Sequence, residues 1–145
     1  GGLPEAVKSF VNSEDIYAGF EKAREKQLTL IDTYLADFAK HSGKVNAMHI
    51  SRIWHAIPTQ LAKTHDGSAQ KFTFKGVVPG IDRFSKLSSA IDWLENAKLI
   101  IKVPVCHSGL LPFSAYTSEN HFKLYFFDVG LLGAMGNLSP STILH

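Results

Sequence analysis

One cysteine, Cys106, is present in 145 residues, so no internal disulfide can form and a reducing, cytoplasmic compartment is the expected setting. No apolar run approaches the roughly 20 residues of a membrane span, and the N-terminus lacks the basic and apolar regions of a signal peptide. No Gly-rich run leads into Gly-Lys-Ser or Gly-Lys-Thr, which argues against nucleotide hydrolysis by these residues alone. A Gly-x-Ser-x-Gly elbow, the commonest serine hydrolase signal, is missing as well. Internal repeats and low-complexity stretches are absent, which excludes solenoid and collagen-like classes. The first residue is Gly1 rather than Met, so a piece of a longer protein is expected.

What is present suits a folded domain. Hydrophobic residues make up 45% and charged residues 19%, too apolar for a disordered chain. At this length a fold buries roughly 70% of the surface that the unfolded chain exposes, so neither a metal nor a disulfide is needed for stability. The net charge of +2 is unevenly spread: residues 1–43 carry −2, residues 44–105 carry +5 and residues 106–145 carry −1. The basic middle leans toward a polyanion or an acidic protein surface.

Periodicity gives an order of elements. Residues 1–12 read as a short helix with Pro4 in its first turn, where a missing N–H is harmless. The strongest helix runs over 14–42, capped by Ser13 and closed by Gly43. Its apolar face comprises Ile16, Phe20, Ala23, Gln27, Ile31, Tyr34 or Leu35, and Phe38. Its length exceeds what a small core requires, which suggests a brace between domains. Val45, Met48 or His49, Ile53 and Ile57 mark a further helix, and Pro58 is placed to start another across a tight corner. Asp66–Ser68 is a loop, and Phe72 and Phe74 alternate along a short strand within 71–77. Asp82 is positioned to cap a helix over 82–97, striped by Phe84, Leu87, Ile91 and Leu94. Strands follow at 99–106 and 121–129 around a long loop, and then a short helix or turn at 130–137. The expected fold is mainly α with a small β-hairpin: a winged-helix-like domain preceded by a long helix, with 82–97 in the recognition position and 106–120 as the wing.

Catalytic patterns are weak. Cys106 and His107 are adjacent, whereas catalytic Cys–His pairs are assembled from residues distant in sequence, so an exposed thiol beside an imidazole is expected. His49 and His55 point roughly 240° apart around a helix, and the other five histidines are scattered, so no metal is expected. Asp92 and Glu95 read as a solvated helix face. For nucleic acid, Arg83, Ser85, Lys86, Ser88 and Ser89 offer phosphate and base contacts near the N-terminal half of helix 82–97. Asp82, Asp92 and Glu95 oppose them, and the wing holds no Lys or Arg. Gln60 and Lys63 are polar positions in an otherwise structural helix and are candidates for contact with a partner domain or nucleic acid. The aromatics of 113–127 are core or inter-domain packing residues, and an exposed apolar patch is expected among them.

Five strings occur in an order that carries a resemblance: GGLPEAV at 1–7, IPTQLAK at 57–63, KFTF at 71–74, AIDWLENAKLI at 90–100 and PFSAYTSENHFKLYFFDVGLL at 112–132. Together they resemble the region after the ATPase domain in prokaryotic AAA-type ATP-binding proteins, a region classed as a domain of unknown function. The resemblance implies a parent with an ATPase domain before Gly1, binding ATP and Mg, and a restriction-endonuclease-like domain after His145. It implies that 1–43 is a helical connector, 44–136 the winged-helix-like domain and 137–145 a linker. These residues then form no enzyme and hold no cofactor or metal. They couple the parent's own ATPase and C-terminal domains, or alternatively bind DNA, with Arg83, Ser85, Lys86, Ser89, Gln60 and Lys63 as contact residues. The family pattern has Ala-Gly where this chain has Ala97-Lys98, so Lys98 must tolerate a turn that suits glycine. In the DVGLL string, Asp128 is placed to cap helix 129–135, and Gly130 permits close packing.

Overall fold

A computed structural model describes residues 1–63 and 71–144. The expected loop at Asp66–Ser68 lies outside the described residues. The chain is mainly helical with one two-stranded antiparallel hairpin. Its contacts divide it into two compact units, Gly1–Gly43 with Asp128–His145, and Lys44–Phe127.

The helical unit contains α1 (Pro4–Val11), α2 (Ile16–His41), α5 (Val129–Met135) and α6 (Pro140–Leu144). Helix α2 packs against α1, α5 and α6. It starts two residues later than the periodicity predicts, because Asp15 caps it: the Ala18 N–H donates to Asp15 Oδ1 at 2.8 Å. Ser13 instead donates its hydroxyl to the Ser9 carbonyl at 2.7 Å. Gly43, at φ +76°, supplies the left-handed residue after the C-cap. Ala23, Gln27, Ile31 and Phe38 are buried as the stripe predicts, whereas Ile16 at its end is 59% exposed. Residues 128–136 of the expected 44–136 domain join this unit, and the expected linker 137–145 contains α6.

The second unit holds α3 (Lys44–Ala62), α4 (Phe84–Asn96), β1 (Ile100–Cys106) and β2 (Thr117–Phe126). Helix α3 continues through Pro58 where a break was expected. The proline forfeits one ladder bond, but Ile50, Ile53, Trp54 and Ile57 on the same helix are all fully buried, which keeps the helix continuous through that loss. Residues 71–77 form no strand. One ladder-like bond, from the Phe72 N–H to the Phe122 carbonyl at 2.7 Å, fixes the segment to β2, and Phe72 and Phe74 are buried as their alternation predicts. Strand β2 starts earlier and ends earlier than expected. Phe122, Leu124 and Phe126 face inward and Tyr125 outward, as the period of two predicts.

Asp82 does not cap α4; the N-cap position is Arg83, without a side-chain cap bond. The helix ends in a Schellman arrangement, with the Leu99 N–H donating to the Leu94 carbonyl and the Lys98 N–H to the Glu95 carbonyl, both at 3.0 Å. Lys98 occupies the left-handed position at φ +59°, the turn that the missing glycine would have eased. Lys98→Gly is therefore expected to stabilise this unit by about 0.5–1 kcal/mol, the relieved strain less the added entropy of the unfolded chain. Both tryptophans, Trp54 and Trp93, lie in this unit, so a higher urea midpoint by tryptophan fluorescence checks the gain.

No described helix is long and apolar enough to cross a membrane.

Candidate functional site

In the second unit, α4 presents Arg83, Ser85, Lys86 and Ser89 to solvent, as the recognition-helix reading requires. Arg83 and Ser85 share a groove of about 560 Å³ with Lys71, Asp82, Glu119 and Asn120. Two carboxylates beside two cations leave that groove close to neutral, so it attracts phosphate weakly. Ser89 Oγ lies 3.4 Å from Asn46 Oδ1, a long bond. Lys63 is exposed in the turn just after α3.

Gln60 has a local task. Its Nε2 donates to the Thr73 carbonyl at 2.7 Å, and its Oε1 accepts from the Thr73 N–H at 2.8 Å. The side-chain amide thus pairs with residue 73 as a neighbouring strand would, which holds Phe72 and Phe74 against the core without a strand. Gln60→Ala is expected to cost about 1–2 kcal/mol, two net hydrogen bonds. Urea unfolding followed by tryptophan fluorescence measures it.

The helical unit holds the denser constellation. Asp128, 7% exposed, accepts at Oδ1 from the Leu131 N–H at 2.9 Å, the cap that the sequence predicts for α5. Its Oδ2 accepts from the Gly2 N–H at 2.7 Å, across 126 residues of sequence. One carboxylate therefore closes α5 and clamps the GGLPEAV segment to it. Gly130 is required here: a Cβ on it would stand 2.4 Å from Gln27 Nε2, 2.9 Å from Asp128 Oδ1 and 3.0 Å from Gly1 N.

Helix α2 contributes Arg24 and Gln27. One Arg24 terminal nitrogen donates to Gln27 Oε1 at 2.9 Å and to the Gly130 carbonyl at 3.1 Å, and the other to the Leu138 carbonyl at 2.9 Å. The guanidinium fork thus ties the first turn of α5 and the segment after it to α2. Partial burial pushes Arg24 below its ordinary value, though a guanidinium stays charged in any accessible range. Burial first, then the negative charges of Asp128 and Glu5, push the Tyr34 phenol up, so it remains a neutral hydroxyl beside the clamp. An apolar cleft of about 520 Å³ adjoins, lined among others by Phe10, Phe20, Ala23 and Val129 with Arg24 and Gln27.

The description Domain of unknown function (DUF8612) fits residues 1–142, nearly the whole chain. The chain belongs to the DUF8612 family. No curated protein and no solved structure matches it. The DUF8612 match runs across both units, so the clamp between Gly2 and Asp128 falls inside it. Sequence reasoning had Asp128 and Gly130 as local helix-start residues and missed their long-range partners. A signal for Gln27 existed, since it is the one amide in the apolar stripe of α2; Arg24 gave none.

Proposed function

We infer that this DUF8612 chain is a non-catalytic coupling segment of a prokaryotic AAA-type ATPase, joining an ATPase domain before Gly1 to a further domain after His145. ATP and Mg belong to the ATPase domain in this reading, and the setting is cytoplasmic. The observation that carries it is the Asp128 clamp. The first string of the resemblance and the end of the last, GGLPEAV and DVGLL, are bonded through one carboxylate, and Arg24 fastens Leu138, just after α5, as well. A pull on the backbone at residue 1 reaches α5 directly, with no loop between them to absorb it. A carboxylate shared by two backbone N–H groups and a guanidinium shared by two carbonyls give a stiff joint. In the parent, ATP turnover measured with and without the C-terminal part checks the reading. A difference in the wild type that vanishes in Arg24→Ala supports it, and a difference that persists in the variant opposes it.

A second reading, a DNA-binding module, is favoured by the exposed Arg83, Ser85, Lys86 and Ser89 on one helix that precedes a hairpin, the winged-helix order. Three phosphate contacts would lower duplex affinity about 40-fold between 50 and 200 mM salt, and Arg83→Ala with Lys86→Ala would flatten that slope. The coupling reading expects no salt-sensitive duplex affinity.

A further inference from the structure

Histidines that are scattered in sequence meet on the hairpin. The His107 N–H donates to the Tyr116 carbonyl at 3.0 Å, which sets its backbone against the opposite arm. The β1–β2 ladder is regular from Ile100↔Phe126 to Pro104↔Phe122, and then resumes only at Cys106↔Thr117. Two steps along β1 therefore face five along β2. Bulges of this kind re-aim side chains and are common beside functional sites. A regular ladder would have set His107 opposite Glu119. Instead His121 Nδ1 stands 3.0 Å from His107 Nε2, with ring centroids 4.7 Å apart and planes inclined by 51°.

Two neutral imidazoles account for that distance as a hydrogen bond, one ring donating and the other accepting. The same two nitrogens also match a coordination edge. Late first-row divalent ions hold imidazole nitrogen at about 2.0–2.1 Å, which puts two neighbouring ligands about 2.9 Å apart at a right angle and about 3.3–3.4 Å apart at the tetrahedral angle. The observed separation lies between these values.

We propose that His107 and His121 form a two-histidine site for a late first-row divalent cation, nickel(II), copper(II) or zinc(II), on the bulged hairpin. Among the described residues no group of three or more His, Cys, Asp or Glu side chains is placed to hold a metal, so the protein supplies two ligands and the other positions face solvent. His107 is exposed and His121 half-buried, so an ion reaches both. Binding needs both lone pairs, and the donating ring supplies its own by moving its hydrogen to its other nitrogen, with no net proton released. The Lys71 charge opposes a dication and keeps the affinity moderate.

The test is a calorimetric titration of the full chain, free of any affinity tag, with nickel(II) and separately with zinc(II); both spare the Cys106 thiol from oxidation. One binding event is expected, weakened at least about tenfold by His107→Asn and by His121→Asn, and unchanged by His55→Asn, an exposed histidine on α3. Nickel(II) should also broaden the imidazole resonances of His107 and His121 before those of any other histidine in the unaltered protein. Equal losses in all three variants, no loss in the two hairpin variants, or broadening that starts elsewhere would overturn the proposal.

Discussion

Phe122→Ala is expected to remove about 3–5 kcal/mol from the second unit, a large share of its stability. Phe122 is 1% exposed, and its ring sits 5.9 Å from that of Phe74 and 5.7 Å from that of Phe84, both at steep angles. Lys102 Nζ lies 4.9 Å from the centre of the same ring, and the Phe122 carbonyl accepts a bond from the Phe72 N–H. Truncation opens a cavity where the hairpin, α4 and the 71–74 segment meet. A unit of this size has about 4–13 kcal/mol of stability in total. With a urea slope of about 1 kcal/mol per molar, the tryptophan fluorescence transition should move by several molar or be lost from the accessible range. A shift below about 1 M would mean that the aromatic cluster is not the core of this unit.

Asp128→Ala carries the second largest effect, and in the other unit. The substitution takes the cap from α5, about 1 kcal/mol, and a charge-assisted bond from Gly2, about 1.5–3 kcal/mol. It also strands the N–H of Leu131, a residue with no exposed surface. The expected total is about 2–4 kcal/mol, read as an earlier far-ultraviolet circular dichroism transition while tryptophan fluorescence holds its midpoint. Asp128→Asn keeps a good capping oxygen and should recover the α5 part of the loss but not the charged bond to Gly2. An alanine variant that unfolds with the wild type would show that the clamp bears no strain.

The helices and the hairpin were legible because their signals are local. The stripe of α2, the alternation through Phe122, Leu124 and Phe126, and the Asp128 cap each depend on residues within a few positions of one another. The errors share a cause as well. Pro58 reads as a helix start, yet the buried face of Ile50, Ile53, Trp54 and Ile57 carries α3 through it. Residues 71–74 read as a strand from two phenylalanines, but Gln60, on α3, satisfies the backbone that a strand would have paired. Asp82 and Ser13 both fit the cap preference, and neither caps. The candidate site was legible only in halves. GGLPEAV and DVGLL each stand out in the sequence, but nothing in either string points to the other, since the bond between them spans 126 residues. Arg24 looks like any surface cation of an amphipathic helix, and the bulge that joins His107 to His121 depends on a change of register that no spacing rule encodes.

Hydrogen exchange in the proposed ATPase parent, with and without a non-hydrolysable ATP analogue, tests the coupling reading most directly. The Gly2 and Leu131 amides share the Asp128 carboxylate, so nucleotide should change the exchange of both together, and Asp128→Asn should separate them. A nucleotide effect confined to residues before Gly1, with Leu131 exchanging at the same rate in both states, would contradict the account.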